Sequence, residues 1–133
     1  MAVVARAGGC CEYCLLPAAG QVSPFPMDHI VPRSQGGRTV LKNLALACPH
    51  CNAYKWAHSD GEDPVTGKSV PLFNPRAQTW SEHFRWSGRF PIRIEGITAC
   101  GRATVWRLRM NHRDVVVVRR LLARLGIPLG PKA

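Results

Sequence analysis

A small α+β fold is predicted for this 133-residue chain by three observations. Two CxxC pairs, Cys11/Cys14 and Cys48/Cys51, bring four thiolates, the number that closes a tetrahedral structural metal site. Short β-prone and turn-rich stretches lie between and after them, each too brief for a long helix. From about residue 98 the apolar pattern turns helical, which predicts a mainly helical C-terminal extension.

Taken in order, Met27 to Val31 is β-prone and is stopped by Pro32, with Ser34-Gln-Gly-Gly37 reading as a turn. A short helix is predicted after Pro49, carrying Asn52 and Lys55. Composition changes near residue 57, and the Gly-, Pro- and Asp-dense stretch from His58 to Arg76 reads as loop and turns. Pro91 to Ile97 alternates isoleucine with charge, as a half-exposed strand does.

Thr98 is placed to cap a helix in which Ala99, Ala103, Trp106 and Met110 recur at helical spacing. Asn111 with Asp114 resembles a capping box for a last helix. There Val118, Leu121, Leu122 and Leu125 form an apolar stripe, ended by Gly126. Both stripes read as core. The arginines of these helices (102, 107, 109, 119, 120 and 124) suit a solvated face or a track along a phosphate backbone equally well. The organisation expected is residues 1–57 as one motif-bearing unit and 58–133 as a basic extension packed on it.

Eighteen Lys and Arg against eight Asp and Glu give a formal charge of +10, and fourteen of the cations are arginine, which forks onto phosphate. From Arg76 onward eleven arginines face only Glu82, Glu95 and Asp114. Such an excess points to a polyanionic partner, nucleic acid first. No secretory leader and no apolar run near the ~20 residues of a membrane span is legible, so a cytoplasmic protein without membrane partner is expected. In that compartment six cysteines read as metal ligands or free thiols rather than disulfides.

The two-residue gap in each CxxC pair lets both sulfurs converge on one ion, predicting structural Zn²⁺ on Cys11, Cys14, Cys48 and Cys51. His50, inside the second pair, is an alternative ligand. Cys10 and Cys100 are then spare, as small buried hydrophobes. Thirty-three residues, 15 to 47, separate the pairs, which is long enough to hold structure of its own.

That insertion contains Asp28, His29 and Asn43. On a strand, neighbouring side chains face opposite ways, so Asp28 can hold a divalent cation while His29 stays free as a base. Asn43 can position the intervening loop or support the imidazole, and Asn52 can bring an amide oxygen back to the ion held by Asp28. Each also has a plain structural reading. Asp28 can cap a turn, His29 can be a satisfied core histidine, and the asparagines can cap helices.

Together the residues are more specific. DHIVPRSQGG, NLALAC and CNAYK, in this order and spacing, resemble the HNH endonuclease family over residues 6–56. The resemblance implies a ββα-metal (His-Me) finger pinned by a four-cysteine zinc. Within it His29 is the general base, Asn43 the central asparagine, and Asp28 and Asn52 hold the catalytic ion. Asn52 stands where many members have histidine, the HNN variant, and an all-oxygen donor set favours Mg²⁺ or Mn²⁺.

The implied activity is metal-dependent hydrolysis of DNA phosphodiester bonds in a bacterial or phage-encoded protein. Arg33 and Lys55 are candidate phosphate contacts. One finger holds one active site, so a monomer nicks and cutting both strands calls for a homodimer or two encounters. The competing reading is a non-catalytic, zinc-stabilised nucleic-acid-binding module. The aromatic stretch with Trp80, Glu82, His83, Phe84 and Trp86 is expected to pack the extension rather than bind DNA.

Overall fold

The computed structural model describes residues 2–19, 21, 24–87 and 92–130. A five-residue helix α1 (Ala2–Arg6) leads into the first cysteine knuckle. Strand β1 (Met27–His29) pairs antiparallel with β2 (Leu44–Leu46), in the register Met27↔Leu46, Asp28↔Ala45, His29↔Leu44. The ribbon is sandwiched: Leu44 and Leu46 pack on Val3 and Ala7 of the N-terminal segment, while Ala45 belongs to the main core. Helix α2 (Pro49–Lys55) follows at once, with Pro49 at its first turn and the Cys48 sulfur accepting the Cys51 N–H as its cap. A β-ribbon followed by this helix is the ββα arrangement expected.

The loop between β1 and β2 is shaped by close backbone approach. Gly36 closes a 3₁₀ turn (Arg33–Gln35) at φ +88°. A Cβ at Gly37 would lie 1.7 Å from the Val31 carbonyl oxygen, so only glycine fits there.

After α2 the stretch expected to be loop contains a hairpin, β3 (Asp60–Glu62) with β4 (Ser69–Pro71). Its turn explains both the reading and the error. The Asp63 carboxylate accepts from the Val65 N–H and the Thr66 hydroxyl, each at 3.0 Å, and Gly67 takes φ +73°. The turn residues marked the bend correctly. The flanking strands are only three residues each, too short to print an alternating pattern.

Helix α3 (Trp80–His83) runs directly into β5 (Phe84–Trp86), which pairs with β6 (Ile94–Gly96). The expected strand over 91–97 is therefore present as β6, with residue 91 outside the described set. Trp80, Phe84 and Trp86 stack on one another, with ring centroids 5.1 and 5.8 Å apart, and Trp80 Nε1 donates to the Tyr13 carbonyl at 2.7 Å. This aromatic cluster fastens the extension to the knuckle.

Helix α4 (Ala99–Arg107) is capped as expected: the Thr98 hydroxyl accepts from the Gly101 N–H at 3.0 Å. Helix α5 (Arg113–Arg124) is not capped by Asn111. The cap is His112, whose Nδ1 accepts from the Asp114 N–H at 3.1 Å. Asn111 instead bonds both backbone groups of Ile94, holding β6 against the inter-helix turn.

The helical stripes are corrected too. Trp106 is 64% exposed, and Leu121 and Leu125 face solvent, while Val115, Val116, Arg119 and Leu122 form the buried face of α5. An arginine supplies part of that face. The Arg119 guanidinium is buried, donates to the carbonyls of Ile92 and Met110, and lies over the Trp86 ring, so it belongs to neither a solvated face nor a phosphate track. One core cluster runs from Cys11 to Leu122 and includes Leu72, Phe84 and Met110. Among the described residues no helix is long and apolar enough to cross a membrane.

Candidate functional site

The four knuckle cysteines converge. Their sulfurs all lie within 4.8 Å of one another and all four residues are buried. Cys14 and Cys48 sulfurs are 3.7 Å apart, close to the ~3.8 Å edge of a tetrahedron built on zinc–sulfur bonds of ~2.3 Å. Each knuckle turns its own amide onto its first sulfur, Cys14 N–H to Cys11 at 3.5 Å and Cys51 N–H to Cys48 at 3.3 Å. Hydrogen bonds from Cys11, then Cys48 and Cys51, hold the Cys14 thiol well below its ordinary range, whereas burial first of all pushes Cys11 up. Four buried thiols arranged for an ion fit a structural zinc.

The remaining cysteines and His50 stand apart. Cys10 is buried and Cys100 half-buried, both with thiols raised chiefly by desolvation. His50 points away from the sulfurs, its Nε2 2.8 Å from the Arg109 carbonyl oxygen, so it is not a fifth candidate ligand.

On β1 the alternation separates Asp28 from His29 as a strand must. Asp28 is buried, at 4% exposure. Its Oδ2 accepts from the Tyr13 hydroxyl at 2.7 Å, and Tyr13 sits between the two cysteines of the first knuckle. Burial, and then the charge of Asp28, raise the Tyr13 phenol well above its usual range, so it donates and does not ionise.

The second partner of Asp28 corrects an expectation. Lys55 is 1% exposed and cannot be a surface phosphate contact. Its ammonium lies 3.0 Å from Asp28 Oδ2 and donates to the carbonyls of His29 at 3.1 Å and Ile30 at 3.2 Å. All three donors of the ammonium are thereby spent inside the protein. Helix α2 is thus locked onto β1 by a buried ion pair, with Asn52 one turn before Lys55 on the same helix face. Asn52 is half-buried, and its side-chain amide has no hydrogen-bond partner among the described residues. Arg33 is exposed in the 3₁₀ turn after β1.

His29 lies half-buried on the other face. Its Nε2 is 2.8 Å from the Thr39 hydroxyl oxygen, and its Nδ1 has no partner among the described residues. Asn43 does not touch the imidazole. Its amide oxygen accepts from the Val31 N–H at 2.9 Å, and its Nδ2 donates to the carbonyls of Val31 at 3.1 Å and Arg38 at 2.9 Å. With the Ile30 N–H also bonded to the Asn43 carbonyl, this asparagine stitches the β1–β2 loop shut. Of the two uses open to Asn43, loop positioning is the one the geometry displays.

Two residues of this region were not singled out from the sequence, Tyr13 and Thr39. Tyr13 was legible in principle, because a residue between two knuckle cysteines is necessarily held close to the metal. Thr39 lies in an irregular loop where no periodicity assigns a direction to a side chain.

The Asp28 carboxylate and the Asn52 amide oxygen suit a hard divalent ion, while the Cys51 thiol and the His50 ring of α2 are engaged elsewhere, in the sulfur cluster and with the Arg109 carbonyl. An ionised carboxylate offers about four lone-pair sites, so Tyr13 and Lys55 leave capacity on Asp28 for one more partner.

Comparison with known proteins agrees with this geometry. Residues 11–56 match the family model described as HNH endonuclease, a span that runs from the first knuckle to the end of α2. Septu protein PtuB of Bacillus thuringiensis is 26% identical over 124 residues, covering 92% of this chain and 44% of that protein. The chain therefore spans under half the length of this relative. No solved structure matches. With the cysteine knuckles, the ββα order and the Asp-His dipeptide all inside the matched span, residues 11–56 are a domain of the HNH endonuclease family.

Proposed function

We propose that the protein is a metal-dependent endonuclease that hydrolyses DNA phosphodiester bonds, with His29 as general base. The observation that carries this reading is the state of the His29 ring. Thr39 occupies Nε2 and no described residue occupies Nδ1, while the adjacent strand residue presents a buried carboxylate. A histidine with one nitrogen tethered and the other free is arranged to take a proton from water. A satisfied core histidine would have both nitrogens engaged.

Asp28 and the Asn52 amide would hold Mg²⁺ or Mn²⁺, which when bound supplies Lewis-acid stabilisation of the phosphate and of the leaving 3′-oxygen. The protein's own residues do the rest. Thr39 accepts from Nε2–H and so leaves the Nδ1 lone pair for the proton of the attacking water. Asn43 keeps the loop closed behind the ring. Lys55 stays beneath Asp28 as a fixed counter-charge, and Arg33 on the exposed turn contacts the DNA backbone, which a net charge of +10 attracts. In this reading residues 58–133 brace the unit formed by residues 1–57.

Supercoiled plasmid nicking tests the reading. Wild type should nick with Mg²⁺ or Mn²⁺ and not in EDTA, and His29→Ala should lose at least a hundredfold in rate, the usual scale of general-base catalysis. Equal nicking by His29→Ala would sink the mechanism. The second reading, a non-catalytic zinc module that binds nucleic acid, draws on the Asp28–Lys55 pair, which neutralises the carboxylate without any ion. It predicts salt-dependent DNA binding with no cleavage under any divalent cation.

A further inference from the structure

A cleft of about 600 Å³ opens between β6, α4 and the turn from Arg109 to His112. Its size falls within the range of small-molecule sites. It is separate from the Asp28–His29 region. The turn rests on α2 through His50 and Tyr54, with ring centroids 5.7 Å from His50 and 6.3 Å from Tyr54 to His112, whereas Lys55 of the same helix reaches β1.

The lining has a definite chemistry. Ile94 and Val105 supply apolar surface, and Trp106 is 64% exposed at the rim. Three carboxylates in or beside the cleft have partners: Glu95 is bonded to Arg85 at 2.7 Å, Asp63 is gripped in a two-pronged pair by Arg102 at 2.8 and 2.9 Å, and Asp114, next to the lining residue His112, lies 3.5 Å from Arg113. Arg93 and Arg109 line the same cleft with no carboxylate partner among the described residues. Arg109 is also held in the left-handed region at φ +48°, uncommon for arginine, with its carbonyl bonded to His50 and its guanidinium over the Tyr54 ring. The result is a cleft lined in common by an exposed indole, apolar side chains and two arginines without a carboxylate partner among the described residues.

We propose that this cleft binds a nucleotide unit, its base stacked on Trp106 and its phosphate held by Arg93 and Arg109. Flat aromatic area next to uncompensated arginine is the pairing that nucleobase and phosphate recognition uses. The unit can belong to a single strand or be a free nucleotide, because the two share this chemistry.

The test measures binding on the zinc-loaded protein with no added divalent cation, so that it stands independently of nuclease activity. One arm uses a fluorescein-labelled 12-nucleotide deoxyoligonucleotide in anisotropy, the other AMP in calorimetry. Trp106→Ala should raise Kd at least fivefold in one arm, with Trp106→Phe retaining most of the affinity and the melting temperature unchanged, since the side chain is largely exposed. Arg93→Gln with Arg109→Gln should weaken binding and lower the salt slope by about one unit on the strand. A response in the oligonucleotide arm alone assigns the site to a strand, and a response to AMP assigns it to free nucleotide. Wild-type protein that binds neither, or Trp106→Ala protein that binds as wild type does in both arms, overturns the proposal.

Discussion

The Thr39 hydroxyl oxygen lies 2.8 Å from Nε2 of His29, ten residues away along the chain, and is the ring's one hydrogen-bond partner among the described residues. A single hydrogen bond of this kind contributes roughly 1 kcal/mol, so Thr39→Val should lower the nicking rate about fivefold to tenfold by releasing the ring. Thr39→Ser keeps the oxygen and should restore the rate. Full activity in Thr39→Val with loss in Thr39→Ser would show that the methyl group and not the hydroxyl is what matters.

Lys55 yields a prediction of opposite kind, one about stability. Lys55→Met leaves Asp28 buried with only Tyr13 for company and strands the carbonyls of His29 and Ile30. Breaking one side of a buried pair costs about 3–5 kcal/mol, to be read in urea unfolding of the zinc-loaded protein. A loss below about 1 kcal/mol would show that water reaches Asp28 freely. The double variant Lys55→Met, Asp28→Asn should recover part of the loss.

Asn43→Ala removes three hydrogen bonds to loop backbone. The expected cost is about 1–3 kcal/mol, because the Val31 amide loses its acceptor. Hydrogen exchange should localise the effect, with protection of residues 31–39 falling before that of β2. Uniform loss over the chain would contradict a local clip.

Cys48→Ser should abolish zinc binding and collapse the far-ultraviolet dichroism, since the metal site joins both ends of the finger. Cys100→Ser, outside the cluster, should leave one zinc per chain. A folded Cys48→Ser protein with a full complement of zinc would overturn the four-sulfur assignment.

Acid stability carries the sign of Asp63. Arg102 first, and then the Val65 and Thr66 donors, hold its carboxyl well below the usual range despite desolvation acting the other way. A depressed folded value means the contribution is fully present above the unfolded carboxylate range and is lost as pH falls below it. The stability difference between wild type and Asp63→Asn should therefore shrink as pH drops from about 5 toward 2. A difference that stayed constant over that interval would rule out an ionised Asp63 as its source.

What could be read from the sequence follows physical lines. The knuckles, α2 and the Thr98 cap rest on local chemistry at fixed spacing, and local chemistry is written in local sequence. The Asp28/His29 division follows from strand geometry alone. Lys55 could not be read, because a lysine on a short helix is normally solvated, and only the tertiary approach of Tyr13 and Asp28 buries it. The same holds for Arg119, where Ile92 and Met110 carbonyls from distant segments make an arginine a core residue. The β3–β4 hairpin is not legible because strands of three residues are too short to display a period-two alternation.

Tyr13 stands between Cys11 and Cys14 and also donates to Asp28 at 2.7 Å, so the zinc knuckle forms one wall around the carboxylate. Chelation experiments on this protein therefore have two clocks. A brief exposure to EDTA should withdraw only a weakly held hydrolytic ion, and added Mg²⁺ alone should restore activity. Prolonged exposure should strip the thiolate-bound zinc, release Tyr13 and scramble the carboxylate's surroundings, after which Mg²⁺ no longer rescues and Zn²⁺ is required first. Recovery as a function of incubation time, rather than inhibition at its end, is the measurement that separates the two ions.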